Sequence, residues 1–361
     1  MKGKISVFQF FAIVFVCRIT EFFTYIAPRE STVLPTDRVF VVIFFLVFCV
    51  LALIPSVTVA NRFGKISVPA LAKSSSDVLG KITACIYIAA FIWSAAESVS
   101  RFELFISTVM FPDTDINMIT ALLLLAAAFA AAKGTESVGR SSVTVCAVLA
   151  FSFIFIILTS VSEFDAVNFS PMLYNGIGDT LRDGFSSASR TWEVLFFATM
   201  LPHVNGSATK SAAAWLTVFS AVTLIGFFVI DGVTGQYGDR QMFKLYTLTV
   251  LAKLGILERF DDVLIGIWVL CELIKSSFCM LAASKSFEDG FGKKAPKYFY
   301  LTASGAVFAV FTAAARSVGQ FTEIAGSIPA KTAFYICALL VPSAAATAST
   351  LSKRKAVTDL A

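Results

Sequence analysis

A single histidine stands among 361 residues, and charged side chains make up only 15% of the chain. An ordinary soluble domain carries about 25%. The seven cysteines all fall inside apolar runs and form no CxxC pair, so a Cys/His metal centre has too few ligands and none is expected. The same thiols read as small buried hydrophobes. No P-loop or GxGxxG occurs, and Asn175-Gly176-Ile177-Gly178-Asp179 reads as an outer loop. No Ser/His/Asp set converges in one region, so the chain is read as no enzyme and as needing no cofactor. No soluble segment interleaves basic residues with aromatics, which leaves nucleic-acid binding without support. The N-terminal apolar run lacks a small-residue cleavage site and reads as a first membrane span.

What is abundant is apolar. Hydrophobic residues make up 57% of the chain, Phe alone contributes 37 residues, and mean hydropathy is +0.81. Uncharged runs occupy Val39–Asn61, Ile116–Ala132, Ser141–Ser162, Ser211–Ile230, Tyr298–Ala315 and Thr332–Ser352. Four more apolar segments, Ile5–Ile26, Ile82–Met110, Thr191–Val204 and Val263–Ser284, carry ionisable residues. These are ten candidate spans. Each must be helical, because lipid offers backbone groups no partner. The expected class is an all-α polytopic membrane protein.

Sixteen basic residues fall on the side that holds the N-terminus and ten on the other. With an even span count, this bias predicts that both termini are cytoplasmic. The long connections Arg62–Gly80 and Asp231–Asp262 join spans 2–3 and 7–8, equivalent places on opposite faces. Ile92-Trp93 followed by Glu97 is echoed by Ile267-Trp268 followed by Glu272. Together these predict a five-plus-five inverted repeat. Residues 1–361 are expected to form one transmembrane domain, with a first repeat over 1–162 and a second over 187–352. A short amphipathic helix is expected within Asp239–Gly255, either as a lid over the central site or as a packed surface helix.

Ionisable residues inside spans normally face the bundle interior or a wet cavity. Here they are Arg18, Glu21, Glu97, Arg101, Glu103, Glu193, Glu272 and Lys275. Glu97 and Arg101 are four apart and read as an internal ion pair. Glu272 with Lys275, and Arg18 with Glu21, are three apart and read the same way. Glu103 is expected to be solvated and His203 to be interfacial. Glu193 has no basic residue on its own helix nearer than Arg190. It is therefore a candidate for the central site or for coupling between helices.

Several strings then resemble one family. They are Lys4-Ile5-Ser6-Val7-Phe8-Gln9-Phe10-Phe11, Leu79-Gly80-Lys81 with Phe102 to Pro112, and Lys133-Gly134-Thr135-Glu136-Ser137-Val138-Gly139-Arg140. Asn168-Phe169-Ser170-Pro171-Met172-Leu173 with Gly176 also fits. So does Leu257-Glu258-Arg259-Phe260 followed by Ile267-Trp268 and Ile274-Lys275. The most specific match runs from Trp192-Glu193-Val194-Leu195-Phe196 to Leu201-Pro202-His203-Val204-Asn205. Taken in chain order, the strings resemble the permease-like B subunit of bacterial spore germinant receptors, within the amino acid–polyamine–organocation superfamily.

The resemblance implies a leucine-transporter-like fold in a bacterial cell membrane or spore inner membrane. It implies a subunit that binds a small nutrient, commonly an amino acid, and works with a larger A subunit and a lipoprotein C subunit. By position, Arg18, Thr20 and Glu21 of span 1 and Trp192, Glu193 and Phe196 of span 6 would flank the ligand. Trp93 and Glu97 of span 3 and Trp268 and Glu272 of span 8 would form the scaffold side. The family usually has small residues in span 1 where this chain reads Val16-Cys17-Arg18-Ile19-Thr20-Glu21. Arg18 would then either fill the pocket or replace a backbone contact with a side-chain one. A secondary amino-acid transporter and a non-binding membrane scaffold are the competing functions.

Overall fold

The computed structural model describes residues 4–23, 37–110, 115–170, 173, 176–239, 241–251, 261–314 and 320–358. In chain order its helices are α1 (Val7–Phe23), α2 (Arg38–Arg62), α3 (Val68–Ser75), α4 (Asp77–Phe105), α5 (Ile116–Ala132), α6 (Thr135–Ser160), α7 (Ile177–Ala188) and α8 (Val194–Thr199). There follow α9 (Ala208–Asp239), α10 (Lys244–Leu251), α11 (Asp261–Phe291), α12 (Phe299–Ala314), α13 (Gln320–Gly326), α14 (Ile328–Tyr335) and α15 (Val341–Thr358).

Among the described residues, six helical stretches are long and apolar enough to cross a membrane, over Arg38–Arg62, Asp77–Met110, Thr135–Glu163, Ala208–Gly235, Ile265–Phe291 and Ile328–Ser352. Two apolar helices, Ile116–Ala132 and Phe299–Ala314, are shorter. The other two expected spans are α1, which carries Arg18 and Glu21, with 24–26 of the expected range outside the described residues, and a broken stretch around α8. The frame is the five-plus-five arrangement: α2 answers to α9, α4 to α11, α5 to α12, and α6 to α14 with α15. The short helices α3 and α10 lie in the two equivalent connections.

Local chemistry sets several ends. The Ser67 hydroxyl accepts the Ala70 N–H, with Pro69 in the first turn of α3. The Asp115 side chain accepts the Asn117 N–H at the start of α5, and Ser327 accepts the Ala330 N–H to open α14. Inside α9 the chain bends at Gly235, whose φ of 47° is open to a residue without a Cβ. Helices α4 and α11 cross so closely that a Cβ on Gly290 would lie 2.3 Å from Ala84 Cβ and 2.6 Å from the Gly80 carbonyl oxygen. Small residues permit this approach between membrane helices.

Two findings differ from the sequence expectation. The connection read as an outer loop contains α7. Its apolar residues Ile177, Leu181 and Phe185 are exposed together with Arg182, whereas Thr180, Gly184 and Ala188 are buried. This is a helix turned small side inward: a Cβ on Gly184 would lie 2.5 Å from Phe44 Cβ, so α7 rests directly on α2. Asp179, Arg182 and Asp183 conceal it in a hydropathy reading. Glu103, expected to be solvated, is only 4% exposed, and its Oε1 has no hydrogen-bond partner.

A short helix is present in the expected range as α10, with Leu245 and Leu248 buried, but it is not amphipathic: Lys244 is buried too and Val250 is exposed. The neighbouring Phe243 ring and the Tyr246 ring lie 5.0 and 5.3 Å from that of Phe105. The rest of its expected range, 252–255, lies outside the described residues, as does Leu257-Glu258-Arg259-Phe260. At the end of the bundle that holds the N-terminus, Ile5–Ser6 (β1) and Val204–Asn205 (β2) pair in parallel, Ile5 with Val204 and Ser6 with Asn205.

Candidate functional site

The sixth span is discontinuous. After α7 the chain turns through 189–193. The Val194, Leu195 and Phe196 N–H groups bond three residues back, to the carbonyls of Thr191, Trp192 and Glu193. Helix α8 then lasts six residues before a 3₁₀ turn at Leu201–His203, where Pro202 sits in the first turn. The tight turn aims Glu193 at the charged end of α1.

Seven ionisable side chains from four elements meet there. They are Arg18 and Glu21 of α1, Glu97 and Arg101 of α4, Glu193, and Glu272 and Lys275 of α11; none is more than 8% exposed. Arg101 lies 2.6 Å from Glu97 and 2.6 Å from Glu21, through separate Nη atoms. Lys275 Nζ lies 3.0 Å from Glu193 and 3.4 Å from Glu21. Arg18 Nη1 stands farther off, 3.8 Å from Glu193 and 4.0 Å from Glu21. Buried charges persist only when paired in this way.

The Glu97–Arg101 pair is as its four-residue spacing predicts. The Glu272–Lys275 pair is not: Glu272 accepts from the Ser98 and Ser276 hydroxyls, at 2.5 and 3.1 Å. Lys275 turns instead to the two carboxylates on α1 and ahead of α8. Its long stem reaches across the bundle, and two hydroxyls already satisfy Glu272. Thr20 donates its hydroxyl to the Cys17 carbonyl, 2.8 Å away.

The aromatic candidates pack against other rings. Phe196 stacks on Phe91 with centroids 5.4 Å apart and meets Phe278 edge-on at 4.7 Å. Trp268 lies 4.3 Å from Phe105, Trp192 meets Phe334 edge-on at 5.5 Å, and Trp93 stacks on Phe321 at 5.0 Å. His203, the last residue of the 3₁₀ turn, is partly exposed.

Sequence reasoning missed two further groups at the site. Arg38 and Asp231, counted with the connections, form a buried hydrogen-bonded ion pair between α2 and α9. Arg190 joins Arg18, Arg38 and Arg101 around one small cavity beside the cluster. The signal available for Arg190 was its position three residues before Glu193.

Buried charge at the meeting point of two first helices, in a five-plus-five frame, defines a transporter-fold membrane protein. The chain belongs to the spore germination protein family of permease-like membrane proteins, whose pattern matches residues 4–318. Among solved structures, the chain is similar to Mhp1, a nucleobase-cation-symport-1 family transporter in a closed conformation with bromovinylhydantoin bound. That likeness has a TM-score of 0.62 and 10% identity, over 90% of this chain and 74% of that one. It is also similar to the Eremococcus coleocola manganese transporter in complex with an aromatic bis-isothiourea substituted compound. The TM-score there is 0.55 and the identity 11%, over 96% of this chain and 78% of that one. These likenesses show the fold, which is leucine-transporter-like. No match to a curated protein is found.

Proposed function

We propose that this chain is the membrane subunit of a nutrient germinant receptor. It binds a small nutrient, an amino acid, at the charge cluster and passes that event to a larger A subunit and a lipoprotein C subunit. The observation that carries the reading is the Arg18–Glu193 relationship. Opposite charges on the two pseudo-equivalent first helices stand 3.8 Å apart, too far for a direct hydrogen bond. An amino acid brings a carboxylate for Arg18 and an ammonium for Glu193. Its binding would draw both helices onto one ligand.

The domain takes residues 1–361, with repeats over 1–162 and 187–352. It lies in the bacterial cell membrane or spore inner membrane with both termini cytoplasmic, and the reading carries no catalytic step. A ligand that binds only the folded protein at 100 times its dissociation constant stabilises by about 2.7 kcal/mol. A thermal-shift series of amino acids on the purified protein therefore tests it. At least one should raise the melting temperature saturably, and no response across the series would leave a non-binding scaffold. The fold likeness to transporters favours a second reading, secondary amino-acid transport. Accumulation of radiolabelled amino acid in vesicles would decide for it.

A further inference from the structure

Beside the cluster, on the side of α1 that faces α2 and α9, lies a cavity of about 80 Å³. One water needs about 10–15 Å³ by the same measure, so the space suits a few waters or one small acid. Its polar lining is unusual for a membrane bundle: the guanidinium groups of Arg18, Arg38, Arg101 and Arg190 against the carboxylate of Glu21.

Two of these cations are already engaged, Arg101 by Glu21 and Glu97 and Arg38 by Asp231. Arg18 is not satisfied in that way. A guanidinium has five N–H donors. Among the described residues Arg18 makes one hydrogen bond, from Nη1 to the Arg190 carbonyl at 3.2 Å. Its Nε–H is buried without a partner, and its carboxylate neighbours stand at 3.8 and 4.0 Å. The group is nevertheless held in place: its Cζ lies 5.5 Å from the Phe45 ring centroid and 5.7 Å from that of Phe219. Cation–π contacts of this kind fix a guanidinium while leaving its edge donors open. Thr223 of α9 and Ser187 of α7 also line the cavity, and among the described residues the buried Thr223 Oγ1 has no hydrogen-bond partner.

We propose that this cavity is an oxyanion site, in which Arg18 and Thr223 donate to the carboxylate or phosphate group of a small ligand. The Arg18 Nε–H of α1 and the Thr223 hydroxyl of α9 belong to residues that line a space of the right size, and among the described residues neither is hydrogen-bonded. Planar donors in a fork match two oxygens of one acid group, which a spherical anion cannot offer. The site lies apart from Trp93, Trp192, Phe196, Trp268 and Glu272. It bears on the receptor reading only as the place where a nutrient's acid group would enter, and its binding is measurable without that reading.

The test uses the purified full chain in a neutral detergent, titrated with sodium acetate, sodium phosphate or sodium chloride at matched ionic strength. Saturable thermal stabilisation by acetate or by phosphate, beyond that by chloride, is the expected result. Acetate assigns a carboxylate group and phosphate a tetrahedral one. Arg18→Lys, which keeps the charge but loses the fork, should weaken the effective oxyanion by about tenfold or more. Arg140→Gln, at an exposed pair with Glu136, should change nothing. Equal responses to all three salts in the wild-type chain would overturn the proposal even if Arg18→Lys failed to fold. So would unchanged affinity in folded Arg18→Lys. A missing germination response with oxyanion binding intact would instead count against the receptor reading alone.

Discussion

Arg101 Nη1 of α4 lies 2.6 Å from Glu21 Oε2 of α1, and through it the scaffold helix grips the helix that carries Arg18. Removing one partner of a buried ion pair leaves an uncompensated charge and typically costs about 3–5 kcal/mol. Arg101→Gln should therefore lower stability by that order, read as a fall in thermal or denaturant midpoint of the purified protein. The double variant Glu21→Gln with Arg101→Gln should recover part of the loss. A single variant as stable as the parent would show that the contact does not couple the helices.

Glu193→Gln keeps shape and removes charge. In protein that still reaches the membrane, it should shift the nutrient dose dependence to higher concentration, as should Arg18→Lys. If both variants assemble and respond with the parent's dose dependence, the binding role assigned to the pair is wrong.

Sidedness has its own test. Single cysteines placed at Ser170 and Ser352 should label oppositely with a membrane-impermeant reagent in intact cells, Ser170 from outside and Ser352 only after permeabilisation. Equal labelling of both positions would refute the topology drawn from the basic residues.

Gly290→Ala adds a methyl that meets the Gly80 carbonyl oxygen at 2.6 Å and Ala84 Cβ at 2.3 Å. Overpacking of this kind costs about 1–3 kcal/mol, so the melting temperature should drop by several degrees. Gly305→Ala in α12 meets nothing within 4 Å. It should instead hold or gain about 0.4–1 kcal/mol, because it restricts the unfolded chain. A melting temperature for Gly290→Ala at or above that of Gly305→Ala would contradict the close crossing of α4 and α11.

Much of the frame was legible because lipid removes choices: runs of about 20 apolar residues must be helices, and their connections count them. The Glu97–Arg101 contact was legible because four residues return a helix to the same face. Lys275 with Glu193 was not, since 82 residues of chain separate them and only tertiary packing brings them together. Arg38 and Asp231 stood at the ends of apolar runs, where hydropathy cannot tell a buried pair from two solvated loop residues. Helix α7 escaped because it presents an inverted pattern, with Thr180, Gly184 and Ala188 inward and its apolar side chains outward.

The parallel pairing of β1 with β2 ties the start of α1 to the far end of the broken sixth span. Twelve residues of helix separate Ser6 from Arg18, which at 1.5 Å per residue is a lever arm of about 18 Å. A displacement of about 1 Å at Arg18 thus becomes a tilt of about 3° about that main-chain clasp. The two charged segments are thus joined twice, by main chain at this end and through Lys275, which faces both Glu21 and Glu193, at the other. A change in the spacing of Glu21 and Glu193 would consequently load the Ile5–Val204 pairing at the opposite end.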